Sequence, residues 1–216
     1  MKDNELKLIQ VENERSKLEV ALKSLIRDIG PIPIASNRIM PYGWRKAAKG
    51  RTVWRIIEEI ISQNLEFYKT KLGFKQVISS DSEVSVFDFV FTTVDGVESY
   101  VNIKSSVLGG RRNKDDISKA HGLLDFYSQN DNSNLFIATF IIDFKPNMTI
   151  DIVDCVVFPV AWIPDIYINP SNNGNMQSAE YKSIAKAIRR TNEEFLELFM
   201  KEYKIAIQKR KNKIND

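Results

Sequence analysis

Hydrophobic and polar positions change their period several times along the chain, and each change marks an element. Over 5–28, Leu18, Leu22, Leu25 and Ile26 fall on one stripe among Glu, Lys and Arg, which predicts an amphipathic helix. Gly30, Pro31 and Pro33 end it, and 31–49 reads as irregular. A second helix is predicted over 52–72, with Ile56, Ile60, Ile61, Leu65 and Tyr68 at helical spacing and Gly73 as the stop. The period then shortens. Strands are predicted at 75–79, 84–93 and 99–105, with Asp95-Gly96 as the hairpin turn between the last two. A helix over 115–127 and a polar turn at 130–134 lead to apolar strands at 135–143 and 151–160. The segment 164–177 is a loop rich in Asn, Pro and Gly. One long helix or two close the chain over 179–210, with Ile184, Ile188, Phe195, Leu198, Phe199 and Ile205 as the apolar side. No internal repeat is visible. The order predicts an α/β (α+β) domain with a central sheet flanked by helices, plus N- and C-terminal helices.

Composition adds bounds. The chain has 216 residues with 43% hydrophobic content, enough for one domain spanning 1–216. Its helix at 1–30 is a candidate packing or dimerisation arm. Lys+Arg at 31 against Asp+Glu at 28 gives a net charge of +3, so the sum says little. Clusters say more: Arg38, Arg45, Lys46, Lys49 and Arg51; Arg111, Arg112 and Lys114; and the lysines and Arg210 near the end. Such clusters suit a phosphate backbone or a solvated surface. Cys155 is the only cysteine and lies in an apolar run, as a core thiol would. His121 is the only histidine, which excludes a His-rich zinc site; it reads as a residue that caps or packs a helix, so no Ser/His/Asp triad is expected. No signal peptide and no membrane-length apolar run is present, so a cytoplasmic protein is expected.

The chemistry concentrates in the predicted strands. Asp88 sits in the apolar run 87–91, where a charge is costly without a cation or donors nearby. The adjacent strand carries Asn102, Ile103 and Lys104. A carboxylate, an oxygen ligand and a lysine two residues beyond it make a site for a hard divalent cation and an activated water, which is the chemistry of phosphodiester hydrolysis.

Asp88 with Asn102-Ile103-Lys104 resembles the PD-(D/E)xK nuclease signature, and more narrowly the EcoRV-like type II restriction endonucleases that cut to blunt ends. The resemblance covers roughly residues 41–190 as order rather than identity. It implies a restriction-endonuclease-like αβββαβ core at 50–163, a DNA-recognition loop at 164–178 and a C-terminal helical segment at 179–210. It further implies Mg²⁺ held by Asp88, the residue at 102, the carbonyl of Ile103 and a glutamate of the preceding helix, Glu58 by register or Glu59 if the helix is rotated. Lys104 would orient and help deprotonate water and offset charge on the phosphorane. Two positions depart from the pattern: Phe87 replaces the proline, and Asn102 replaces the second acid. Three explanations of Asn102 stand open: an engineered acid-to-amide change, a natural variant in which Glu98 or Glu58 supplies the charge, or a domain that binds DNA without cutting.

Asn172, Asn173, Asn175 and Gln177 are candidate base readers, because a carboxamide matches the adenine edge in the major groove. The alternative is a polar turn using Asn and Gly for positive φ. Arg38, Arg45 and Lys46 are candidate phosphate contacts, with Met40, Tyr42 or Trp44 as a minor-groove wedge or, alternatively, Tyr42 and Trp44 anchoring the loop. Arg111, Arg112, Lys114, Ser105 and Ser106 are further backbone contacts. The resulting expectation is a homodimer cutting a palindromic double-stranded DNA site and leaving 5′-phosphates. Its rivals are a repair or junction-resolving nuclease, a DNA-binding module without activity, and a plain α/β scaffold in which Asp88 and Lys104 form an ion pair.

Overall fold

The computed structural model describes residues 2–45, 49–82, 85–110, 113–130, 133–171 and 174–215. Helix α1 (Lys2–Ile29) buries the stripe expected of it: Leu18, Leu22 and Leu25 are fully enclosed. Each such leucine contributes about 1.5–3 kcal/mol. β1 (Ile32–Pro33) is a two-residue strand in the stretch expected to be irregular. Helix α2 (Lys49–Tyr68) packs through Val53, Ile57, Ile61 and Leu65. Ile56, expected in the core, is 44% exposed, because the helix sits about one residue's rotation away from the register inferred from sequence.

Strands β2 (Phe74–Ser79), β3 (Phe89–Thr93) and β4 (Glu98–Val107) form an antiparallel meander, with Asp95 and Gly96 in the turn as expected. Gly96 has φ +83°, a conformation that L side chains rarely adopt. β5 (Asp115–Lys119) follows, and α3 (Ala120–Gln129) then leads into β6 (Asn134–Phe144), which returns parallel to β4. Parallel neighbours need such a crossover. β7 (Thr149–Pro159) pairs antiparallel with β6 and carries β1 on its far side. The six-stranded mixed sheet has the order β1-β7-β6-β4-β3-β2. Leaving aside the β5 insertion, the order α2-β2-β3-β4-α3-β6 is the αβββαβ order expected from sequence.

Three expectations fail at the periphery. Residues 115–119 form a strand, not the first turn of a helix. β5 pairs with β9 (Asn175–Ser178), which also pairs with β8 (Tyr167–Ile168), so a second three-stranded sheet stands where a recognition loop was expected. The last helix is shorter than expected: 179–191 is irregular apart from a 3₁₀ turn at Ile184–Lys186, and α4 spans Asn192–Asn215. Phe195 and Phe199 are buried, whereas Ile184, Ile188, Leu198 and Ile205 are exposed.

Two cores flank the large sheet. α1 and α2 close one face over Val101, Ile103 and Phe140. α3, α4 and the small sheet close the other over Ile137, Phe158 and Trp162. Cys155 is buried as expected. Among the described residues, no helix is long and apolar enough to cross a membrane.

Candidate active site

The site lies where β3 stops covering β4. The β3 ladder reaches from Glu98 to Val101, so β4 presents an open edge from Asn102 onward. The chain approaching β3 is tied to that edge by three bonds. The Asp88 N–H donates to the Val101 carbonyl (2.8 Å). The Ile103 N–H donates to Asp88 Oδ2 (2.5 Å), so the carboxylate takes the donor that the next strand residue would have used. Asn102 Nδ2 donates to the Val86 carbonyl (2.9 Å). Period-two alternation puts Asn102 and Lys104 on one face of β4, and the Ile103 carbonyl lies on the same edge as its N–H.

Glu58 arrives from α2. Burial, and then the charge of Asp88, push its carboxyl up to about 7, while Lys104 and Arg55 pull the other way. Asp88 is also raised, mainly by burial, against the opposing pull of the Ile103 N–H, Lys104 and Arg55. Burial lowers Lys104, opposed by Asp88, Glu58, Asp116 and Asp115. Each group is thus poorly solvated in its charged form, and the two carboxylates oppose each other's ionisation. An open cleft of about 310 Å³ is lined by Glu58, Lys104, Ser105, Asp115, Trp54 and Tyr181 among others.

A divalent cation fits this set. It would relieve the strain between Asp88 and Glu58, and the Oδ1 of Asn102 is buried with no partner among the described residues, leaving an oxygen ligand unspent. Beside Lys104 in register, the Thr139 hydroxyl is likewise buried and unpartnered. Among the described residues, no three His, Cys, Asp or Glu side chains are grouped so as to hold a metal.

The other sequence candidates divide. Glu98 is a correction: it starts β4 opposite Thr92, accepts from the Tyr100 hydroxyl, and lies about 13 Å along the strand from Asn102. Glu59 is exposed and accepts from Gln63. Ser105 lines the cleft, and Ser106 follows it on β4. Lys114 places its ammonium 4.2 Å from the Tyr167 ring centroid. Lys46, Arg111, Arg112, Asn172 and Asn173 lie outside the described residues.

Asn175 and Gln177 sit on β9 and point their amide groups at Asp116, donating over 2.9 and 2.7 Å. Gln177 Oε1 also accepts from Asn169, and Asn175 Oδ1 is buried. In this arrangement their carboxamides serve the small sheet, because β9 must brace β5. In the 38–45 loop, Trp44 donates to the Lys145 carbonyl (3.0 Å) and packs edge-on against Phe144, so it anchors the loop. Tyr42 is 82% exposed with the Arg45 guanidinium over its ring, Arg38 is exposed, and Met40 is half-buried. His121 is exposed beside Asp125.

Asp115, Tyr181 and Arg55 are the neighbours that sequence reading missed. Asp115 accepts from the Tyr181 hydroxyl (2.9 Å) and from Lys182 (2.5 Å). The i, i+3 spacing of Arg55 and Glu58 on a helix was a usable signal; the partnership of Asp115 and Tyr181, 66 positions apart, had none.

No protein-family model matches the sequence, and no curated protein matches it. Among solved structures, the chain is similar to the NlaIV restriction endonuclease at 16% identity and a TM-score of 0.47, over 75% of each chain.

Proposed function

We propose that this chain is a Mg²⁺-dependent nuclease that hydrolyses double-stranded DNA at a specific site, a type II restriction endonuclease acting as a homodimer on a palindrome. The observation that carries the reading is that Asp88, Glu58 from α2 and a buried Lys104 lie close enough to shift one another's ionisation, with Glu58 and Lys104 lining one open cleft. A structural ion pair between Asp88 and Lys104 would account for two of these groups but leaves Glu58 and the Asn102 oxygen without a purpose.

Asp88, Glu58, Asn102 Oδ1 and the Ile103 carbonyl would hold the cation, which supplies Lewis-acid activation of the phosphate when bound. Ile103 holds Asp88 in place through its N–H. Lys104 sits where burial favours the neutral amine, so it can take a proton from the attacking water or, charged, oppose the growing negative charge on phosphorus. Water attacks in line, the bond from phosphorus to the 3′ oxygen breaks, and that oxygen takes up a proton. The products are a 5′-phosphate and a 3′-hydroxyl. Lys114, Arg45 and Arg38 are exposed on described loops and suit phosphate contact, with Arg111, Arg112 and Lys46 in the same basic segments. Blunt ends follow the family resemblance.

A DNA-binding module without activity is the second reading, favoured by the engagement of Asn102 with Val86. The test is incubation of a phage genome with Mg²⁺ and either this chain, its Asp88→Ala form or its Asn102→Asp form. Discrete fragments from this chain that vanish in Asp88→Ala are expected. A smear or structure-dependent cutting would point to a repair or junction enzyme, and binding without cutting by any form would sink the enzyme reading.

A further inference from the structure

One turn before Glu58, α2 carries Trp54 and Arg55. Trp54 falls four residues before Glu58 and so shares its face of the helix. Both line the open cleft together with Lys104. Arg55 is the next residue along. Neighbouring positions on a helix point about 100° apart, so an arginine there would ordinarily leave that face for water. Arg55 instead bends back: its guanidinium carbon lies over the Trp54 ring, 4.4 Å from the centroid. The residue is exposed, and its side chain makes no ion pair or hydrogen bond among the described residues. Glu58, three residues on, is the partner that helix spacing would offer, and it is not taken up. The charge of Arg55 still reaches the site, where it opposes the upward shift of both the Glu58 and the Asp88 carboxyl.

A contact with a ring consumes none of the five N–H donors of a guanidinium. Arg55 is therefore a cation that is held in place and still unspent. The chemistry of the cleft gives it a use. Asp88 and Glu58 repel a phosphate that approaches them, and a cation at the mouth offsets that repulsion. The planar fork of a guanidinium also matches two oxygens of one phosphate. Trp54 is half-buried in the cleft wall, so the platform under the arginine is fixed by packing.

We propose that Arg55 binds a backbone phosphate of duplex DNA at the mouth of the cleft, next to the phosphate to be cut, and that Trp54 is the positioning residue that holds it there. This role rests on the nuclease reading for its substrate, yet it is a binding role, so the two can fail separately.

The test is a fluorescence-anisotropy titration of the full chain with a labelled duplex of about 30 base pairs, in EDTA so that nothing is cut, over a series of NaCl concentrations. Each phosphate met by a cation adds about 0.9 to the slope of log affinity against log salt. Arg55→Gln should lower that slope by about 0.9 for each Arg55 engaged, ~1.8 for a homodimer, and weaken binding about tenfold. Arg55→Lys should restore the slope, because counterion release counts charge, but only part of the affinity, because an ammonium lacks the planar fork. Trp54→Leu should weaken binding severalfold on its own and add nothing to Arg55→Gln, since the ring acts through the arginine. Arg55 is exposed, so its substitution should leave the fold intact.

An unchanged slope in Arg55→Gln, with the duplex still bound, would overturn the phosphate contact and leave the nuclease reading standing. Full additivity of the Trp54 and Arg55 effects would overturn the platform. Failure of the unaltered chain to bind the duplex would sink both readings. A slope that falls as expected, in a chain that does not cut when Mg²⁺ is supplied, would uphold the contact and sink the enzyme reading.

Discussion

Replacing Asn102 by aspartate is the sharpest perturbation of the candidate active site, and the structure sets the size and sign of its effect. Asn102 uses its amide nitrogen to bind the Val86 carbonyl at 2.9 Å, and its oxygen has no hydrogen-bond partner among the described residues. Aspartate restores the missing acid but removes that donor. An ionised carboxylate would set an oxygen against the Val86 carbonyl and leave a buried acceptor unmet, a loss of about 1–3 kcal/mol. It would also join Asp88 and Glu58, whose carboxyls are both already raised. The new carboxyl would therefore have a folded pKa above its unfolded value. By linkage, the penalty is absent below the unfolded carboxylate pKa of about 4 and grows as pH rises through the folded pKa. A protonated aspartate can still donate to Val86.

Without metal, Asn102→Asp should lose about 2–3 kcal/mol at pH 8, roughly 5–10 °C in Tm for a chain of this size. The loss should shrink at pH 5. Mg²⁺ at pH 8 should return about 1–3 kcal/mol, because a cation held at ~100 times its dissociation constant contributes about 2.7 kcal/mol. Urea unfolding at both pH values, with and without Mg²⁺, measures this. A metal-free variant at pH 8 as stable as the unaltered chain would refute the view that Asn102 is matched to Val86 and that the surrounding carboxylates repel a third.

Asp88→Asn keeps an acceptor for the Ile103 N–H and should hold the fold while abolishing Mg²⁺-dependent cleavage, whereas Asp88→Ala strands that donor and should cost about 1–3 kcal/mol in urea unfolding. Glu58→Gln should stabilise the metal-free chain at pH 8 by about 1 kcal/mol, discounted because the carboxyl is partly exposed. Its carboxyl is raised to about 7, so the penalty it removes is absent below pH ~4 and develops up to pH ~7; equal gains at pH 4 and pH 8 would contradict the raised carboxyl. Lys104→Met should leave DNA binding within about twofold and cut the cleavage rate by about 10²–10⁴, read by gel shift and single-turnover cleavage. Trp44→Phe should cost about 1 kcal/mol through loss of the bond to Lys145, with cleavage unchanged.

The local elements were largely legible. Helix α1, the β2-β3-β4 meander with its Asp95-Gly96 turn, and β6 and β7 each carry a hydrophobic period long enough to identify them. Asp88 stood out because a carboxylate in an apolar run is costly, and its Ile103 donor is the compensation. The small sheet was not legible. β8 spans two residues and β9 four, and both acquire partners only from distant segments, so their sequence reads as a loop. For the same reason Asn175 and Gln177 read as free hydrogen-bonding groups, although Asp116 holds both.

By itself, the sequence determined which residues could carry chemistry, because residue type, period and the cost of buried charge are local properties. It also determined the order of the core elements. Only the tertiary structure decided which of those residues meet. It put Glu58 rather than Glu98 beside Asp88 and Lys104, since α2 lies next to β4 and Glu98 sits at the start of that strand. It brought Asp115 and Tyr181 together at the cleft. These outcomes depend on contacts between segments tens of residues apart. Such contacts are fixed by how whole faces pack, and no local pattern records them.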